Sequence, residues 1–241
     1  RAFLEDALVD LCNCLPLAAV IDERCIVVHG GLPRYYSRGW GIWESPCTLQ
    51  EIASIERPLP MPGDLITRQD HILFDMMWSD PVDLPRGVSP NTMRKGRTMC
   101  YGPDVTRNLL MAWGFRLLIR SHQLPLSPWH GFEWRHLVSA ARWPAPEILS
   151  KDQLGYCLTV FSASNYCGHG RNAGAIVVFS GGLGSFRVVE YPATAAMASL
   201  LQTVFKPPLR RTVGSLFEGS LESGVINAIV EHRHKLLAEF A

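Results

Sequence analysis

Long apolar runs are scarce in these 241 residues. Runs such as Ile26–Val28 and Ala175–Phe179 fall far short of the roughly 18 residues a membrane-spanning helix needs, so no membrane role is expected. Charge imbalance is missing as well. The 23 Lys and Arg against 22 Asp and Glu leave a formal net charge of +1. Without a basic stripe, nucleic acid is a poor candidate partner. No basic-then-apolar signal opens the sequence. Residue 1 is Arg1, and the segment behind it already patterns as an amphipathic helix, so the sequence reads as beginning inside a domain. No internal repeat or low-complexity tract is visible. The seven cysteines are an odd number and sit mostly in apolar contexts, as Cys25 and Cys157 do. That reads as reduced core thiols in a cytoplasmic protein, with the nucleus as alternative, and not as a disulfide framework. Cys12 and Cys14 form a lone C-x-C, without the second pair that a zinc site requires.

What is present is a core former: 47% of the residues are hydrophobic and 10% aromatic. Leu4, Leu8, Leu11 and Leu15 give one apolar helix face that stops near Pro16. Cys25–Val28 reads as a buried strand ending abruptly at His29-Gly30-Gly31. Residues 33–47 read as an aromatic and glycine-rich loop. Thr48 with Glu51 forms a capping box for a short helix over Leu49, Ile52 and Ile55, closed by Pro58, Pro60 and Pro62. Residues 79–102 are polar and punctuated by proline, and read as loop. Pro103-Asp104 opens a helix that Gly114 ends. Strands are expected at Phe115–Ile119, Cys157–Phe161, Ala175–Phe179 and Phe186–Tyr191, the last two joined by a turn at Gly181–Gly184. Residues 124–153 look irregular. An amphipathic helix over Ile226, Ile229, Val230, Leu237 and Phe240 ends the chain, with His232, Arg233, His234 and Lys235 around its polar side.

Apolar strands repeatedly run into short clusters of polar residues and glycines, the place where α/β proteins collect ligands. Two such strand ends carry histidine, His29 and His122. A neutral imidazole there is suited to a divalent metal, and adjacent glycines allow close backbone approach. For either histidine alone a hydrogen-bonded core residue is the better explanation; the shared context is what shifts the reading toward ligation. Arg120 precedes His122, and Arg86, Arg94 and Arg97 lie in the 79–102 loop. Guanidinium is the planar, bidentate clamp for a phosphoryl group, although a solvated basic loop has the same composition.

Five motifs then occur in order: His29-Gly30-Gly31-Leu32, Trp78-Ser79-Asp80-Pro81, Gly102-Pro103-Asp104-Val105-Thr106, Ile119-Arg120-Ser121-His122 and Phe161-Ser162-Ala163-Ser164-Asn165-Tyr166. Each is weak singly; together they resemble the C-terminal half of the phosphoprotein phosphatase catalytic domain, over residues 1–192. Pro90-Asn91-Thr92, Ser-Ala-Ser-Asn-Tyr and the basic tail make the EF-hand subgroup of retinal-degeneration-C type the nearest match. The resemblance implies a metallophosphoesterase α/β sandwich of mixed sheets flanked by helices, here as a partial domain. Residues 193–241 would be a C-terminal extension and 124–153 an insertion. It implies hydrolysis of phosphoserine and phosphothreonine in proteins by two divalent metal ions, manganese foremost, with iron or zinc as alternatives. His29 and His122 match two metal ligands, Arg120 the residue before the second of them, Tyr166 a tyrosine lining the phosphate pocket, and Asp80 an aspartate beside the site. Arg86-Gly87-Val88-Ser89 copies the family's phosphate-binding arginine motif literally. Arg94 fits better the distance to Tyr101-Gly102 and follows Pro-Asn-Thr, so it is preferred over Arg86.

Three earlier motifs of the family, Asp-x-His, Gly-Asp-x-x-Asp-Arg-Gly and Gly-Asn-His-Glu, are missing; Gly63-Asp64 continues differently and is a decoy. The chain by itself is therefore expected to be inactive. A non-catalytic binding module and another metallophosphoesterase are the rival readings. His130 and His136 are expected as surface histidines. His232 and His234 are two apart on a helix and cannot share an ion. No residue run matches the D-x-[DN]-x-[DN]-G calcium loop, so any EF-hands, to which the basic tail would be the linker, are expected downstream.

Overall fold

The structure is a computed structural model that describes residues 2–34, 46–83, 87–137, 153–168, 170–180 and 186–192. Its framework is a five-stranded sheet. The strands are β1 (Ala18–Ile21), β2 (Cys25–Val28), β6 (Leu117–Arg120), β8 (Gly155–Val160) and β7 (Phe132–Leu137), in the spatial order β1-β2-β6-β8-β7. The three central strands run parallel and the two edges antiparallel. The composition dictates this. Short continuous apolar runs such as Cys-Ile-Val-Val and Leu-Leu-Ile suit strands covered on both faces, the normal state of a parallel sheet.

Alternate residues supply the two cores. Ile26, Val28, Leu118 and Cys157 face the helices, meeting Leu73 and Met76 of α3 (Arg68–Trp78) and Leu109 and Leu110 of α4 (Pro103–Trp113). Cys25, Leu117, Ile119 and Leu158 face the other way, onto Val177, Phe186 and Val188 of the antiparallel pair β9 (Gly174–Phe179) and β10 (Phe186–Tyr191). The sheet is thus the middle of a sandwich, as expected. α1 (Ala2–Cys14) is helical as its pattern predicts, but Leu8 and Leu15 remain partly exposed. α2 (Leu49–Ala53) has the predicted Thr48–Glu51 capping box. Gly114 ends α4 at φ 78°.

Three expectations are corrected. Residues 79–102 are not a plain loop: β3 (Asp80–Pro81), β4 (Val88–Pro90) and β5 (Met99–Tyr101) form a small sheet in the order β3-β5-β4. These strands are too short and too rich in proline to show a period of two. The irregular reading of 124–153 gives way at Phe132–Leu137 to β7, an edge strand whose Glu133 and Arg135 disguise it. His136 is not a surface residue. It is 2% exposed, because β7 turns at a positive φ of 54° there. Its Nε2 faces the Val82 carbonyl at 2.9 Å, which can only accept, so Nε2 carries the proton. Nδ1 then accepts from the Thr106 hydroxyl at 3.0 Å. His130 is exposed, as expected. The predicted turn at 181–184, most of the 33–47 loop and the tail helix lie outside the described residues.

Candidate functional site

The site forms at the carboxyl ends of β2 and β6. These parallel neighbours pair Val27 with Ile119, and the ladder continues where the Ser121 N–H donates to the His29 carbonyl at 3.0 Å. Residues just past adjacent strand ends are held about one strand spacing apart, ~4.8 Å. The His29 and His122 rings accordingly meet edge to face, centroids 5.2 Å apart. His122 takes φ 72°, a left-handed conformation that a non-glycine residue keeps only where its surroundings impose it.

The loop after His29 is clamped to the end of α3. The N–H groups of Gly30 and Gly31 donate to the Met76 carbonyl at 2.7 and 3.2 Å. A Cβ on Gly30 would collide with the Met77 backbone, which is why glycine is needed there. Asp75 of α3 is fully buried and takes a bidentate grip from Arg34, with Nε to Oδ2 at 2.6 Å and Nη2 to Oδ1 at 2.8 Å. The Thr98 hydroxyl also donates to its Oδ1 at 2.8 Å.

Beneath the histidines lies Arg120, whose side chain is fully buried. Its Nε donates to the Gly30 carbonyl, Nη1 to Gln123 Oε1 at 2.9 Å, and Nη2 to Asp80 Oδ1 at 3.1 Å. Every one of these bonds ends on the protein frame, so Arg120 ties together the loops that carry His29, Asp80 and His122. Asp80, also buried, accepts from Asn91 Nδ2 at 2.7 Å through its other oxygen.

Arg94 closes the cluster. It ends the 3-10 turn Thr92–Arg94, which the Asn91 carbonyl organises by accepting from Arg94 N at 3.0 Å and Gly96 N at 2.9 Å. Its guanidinium lies 5.0 Å from the centre of the Trp78 ring, and Trp78 is edge-on to His122 at 5.1 Å. Nη2 is 2.8 Å from His122 Nε2. Guanidinium only donates, so that nitrogen bears a lone pair and the ring is neutral. Burial first, then the Arg120 and Arg94 charges and His29, push the His122 imidazole down to about 3. Burial and Arg120 lower His29 also.

A neutral imidazole is the form that ligates a divalent metal. Two of them, 5.2 Å apart on one strand-end ledge, fit the imidazole part of such a donor set. Among the described residues no group of three or more His, Cys, Asp or Glu is placed to hold an ion, so no carboxylate completes the set there. Tyr166 stands on the loop after β8, the next strand along. It is partly exposed, edge-on to Phe161 at 5.1 Å, and its N–H donates to Asn172 Oδ1 at 2.9 Å. The structure therefore brings His29, His122 and Arg94 into contact, sets Arg120 and Asp80 behind them, and leaves Tyr166 on the neighbouring loop. Arg86 lies outside the described residues. The sequence reading did not single out Trp78 or Asn91 as site residues, nor Asp75 and Arg34 as the clamp; Pro-Asn-Thr and Trp-Ser-Asp-Pro were the available signals for the first two.

Strand-end histidines on a sandwiched mixed sheet define a metallophosphoesterase architecture. Residues 2–126 match the Metallophos family, the calcineurin-like phosphoesterases, and the chain belongs to that family. Among its relatives is the serine/threonine-protein phosphatase BSL2 of Arabidopsis thaliana, 30% identical over 191 residues, which are 78% of this chain and 15% of that protein. A solved structure of a protein serine/threonine phosphatase from Saccharomyces cerevisiae, with similarity to human phosphatase PP5, shares the fold. It aligns at a TM-score of 0.57 and 24% identity over 80% of this chain and 51% of its own. The phosphoprotein phosphatase resemblance of the five motifs is thereby borne out. The chain spans about half or less of the length of these relatives.

Proposed function

We propose that the protein to which this chain belongs hydrolyses phosphoserine and phosphothreonine in proteins at a centre of two divalent metal ions. One observation carries the reading: two neutral imidazoles meet 5.2 Å apart at adjacent parallel strand ends, with a guanidinium seated on one of them. His29 and His122 would hold the metal, which when bound supplies Lewis-acid polarisation of a phosphoryl oxygen and a water of lowered pKa. The protein's own residues do the rest. Arg94 offers donors to the phosphoryl oxygens in a planar fork. Trp78 backs that fork, its ring centre 5.0 Å from the guanidinium carbon. Asp80, held by Asn91 and Arg120, sets the orientation of the arginine turn, and Tyr166 borders the phosphate from the β8 loop. No side-chain nucleophile is invoked. Burial holds the thiols of Cys25, Cys47 and Cys157 up at about 12, so they stay protonated and inert.

Manganese as the metal, phosphoproteins as substrates and a calcium-sensing EF-hand region in the same protein belong to this proposal. The metal and substrate rest on the five-motif resemblance, and the EF-hand region on Pro90-Asn91-Thr92, Ser162–Tyr166 and the basic tail sequence. The test is turnover of a phosphothreonine peptide with Mn²⁺ by the full-length gene product. His122→Ala is expected to lower kcat by about 10²-fold or more, the size of losing a principal electrostatic contributor. Unchanged turnover in that variant would sink the reading.

A second reading, a binding module without catalysis, is favoured for the isolated chain by one fact: among the described residues no carboxylate joins the two imidazoles.

A further inference from the structure

Asp75 stands where an apolar residue would be expected. Its neighbours along α3, Leu73, Phe74 and Met76, are core residues, and its own side chain is fully buried. Burying an ion pair gains little over apolar packing, so what this charge contributes is geometry. Its two oxygens take four bonds. Oδ2 accepts from the Arg34 backbone N–H at 2.9 Å and from Arg34 Nε at 2.6 Å. Oδ1 accepts from Arg34 Nη2 at 2.8 Å and from the Thr98 hydroxyl at 2.8 Å. Arg34 Nη2 also donates to the Arg97 carbonyl at 2.9 Å. From Thr98 the bonds continue into the site. The Thr98 carbonyl accepts from the Asn91 N–H at 2.9 Å, which closes the 91–98 loop at its base, and the Asn91 carbonyl accepts from the N–H groups of Arg94 and Gly96. The rings of α3 repeat this register. Phe74 and Trp78 stack with centroids 6.2 Å apart and carry the guanidinium carbons of Arg97 and Arg94 at 4.6 and 5.0 Å. α3 is thus a template onto which the arginine loop is laid.

We infer that Asp75 is a positioning residue for Arg94, acting through Thr98 and Asn91, and that through Arg34 it fixes the loop after His29 against the arginine turn. The inference rests on the reading of Arg94 as the phosphoryl clamp and adds what aims it. A guanidinium presents its donors without reorganisation only where the backbone that carries it is already fixed. Trp78 restrains the tip of Arg94, and Asp75 restrains the base of its loop. Arg34 is the counterion that lets the carboxylate stay buried while it does so.

Thr98→Val tests this on the 241-residue chain, because it removes the hydroxyl, keeps the shape and leaves the Asp75–Arg34 pair intact. The amides of Arg94 and Gly96 should exchange with deuterium about tenfold faster, the size of one lost hydrogen bond to a charged group. Those of Gly30 and Gly31, which bond to the Met76 carbonyl, should keep their wild-type rates. Thr98→Ser, which restores the hydroxyl, should restore slow exchange. Unchanged rates at Arg94 and Gly96 in Thr98→Val would overturn the inference. So would an acceleration that Gly30 and Gly31 share, which is general loosening, or one that Thr98→Ser does not reverse. If Thr98→Val unfolds, wild type decides: under rising denaturant the amides of Asn91, Arg94 and Gly96 should open together with that of Arg34, and separate openings would overturn the inference. Inhibition of the full-length gene product by inorganic phosphate separates this from the clamp reading. Thr98→Val should weaken that inhibition about tenfold, with Thr98→Ser again restoring it. Where Arg94→Met weakens it and Thr98→Val does not, the positioning falls. Where neither does, the clamp reading falls and exchange alone decides the positioning.

Discussion

Arg120 Nη2 and Asp80 Oδ1 form a buried ion pair of 3.1 Å that lies under both strand-end histidines. A pair of this kind contributes little relative to apolar packing, yet removing one member leaves the other charge buried alone. Arg120→Met is therefore expected to cost about 3–5 kcal/mol, and the three loops that Arg120 joins should loosen. Urea denaturation of the chain gives the first quantity. Amide exchange at Gly30, Ser79 and Gln123 gives the second, and protection that stays as in wild type would contradict it.

Gly30 makes the tightest approach in the site. Replacing it by alanine drives a Cβ into the Met77 backbone, which belongs to α3 and cannot recede as a flexible side-chain tip would. The hydrogen bonds of Gly30 and Gly31 to the Met76 carbonyl should break, and with them the placement of His29. The expected loss is about 2–4 kcal/mol, of the size that overpacking plus lost buried hydrogen bonds produces. A melting temperature within a degree of wild type would count against the close-approach argument.

Acid should weaken the fold in a definite window. Burial lowers His136 to about 4, partly offset by the Val82 carbonyl and Asp83, whereas its ordinary value is near 6.5. Between those values the unfolded chain binds a proton that the folded one refuses, so stability falls as pH drops. One such group contributes about 1.4 kcal/mol per pH unit across the window, and its contribution levels off below about 4. His122 and His29 act in the same direction. His136→Gln should reduce the slope of unfolding free energy against pH between 6.5 and 4; an identical slope would show that the ring is protonated in the folded protein.

What was legible in the sequence was local. Cys25–Val28 and the run around Leu117–Ile119 announce buried strands by apolarity alone, and the histidines follow them directly, so strand pairing brings them together. Thr48-x-x-Glu51 and Gly114 mark helix ends through bonds spanning three or four residues. What stayed hidden depends on distant partners. Asp75 and Arg34 are 41 positions apart, Asn91 and Asp80 are 11, and nothing in either neighbourhood advertises the other. α3 did carry its own signal, the Thr67–Asp70 box, but the crowded apolar run behind it blurs the helical period. His136 looked exposed because it falls within 124–153, which reads as an insertion; a single positive φ turns it inward.

The last expectation concerns the chain on its own. A dinuclear hydrolytic centre needs ligands that offset the charge of two divalent ions, and carboxylates normally supply that charge. Here the described residues provide two neutral rings and no third His, Cys, Asp or Glu beside them. Asp80 already answers to Arg120 and Asn91. The Arg94 guanidinium in contact with the His122 ring is positive, which further disfavours a cation. The 241-residue chain should thus bind Mn²⁺ weakly and release no phosphate from a phosphothreonine peptide above the level of its His122→Ala variant. Joining it to a segment that supplies the missing carboxylates should restore both properties. Turnover by the chain alone at a rate that His122→Ala reduces would show that the two imidazoles suffice, and the argument from charge would be wrong.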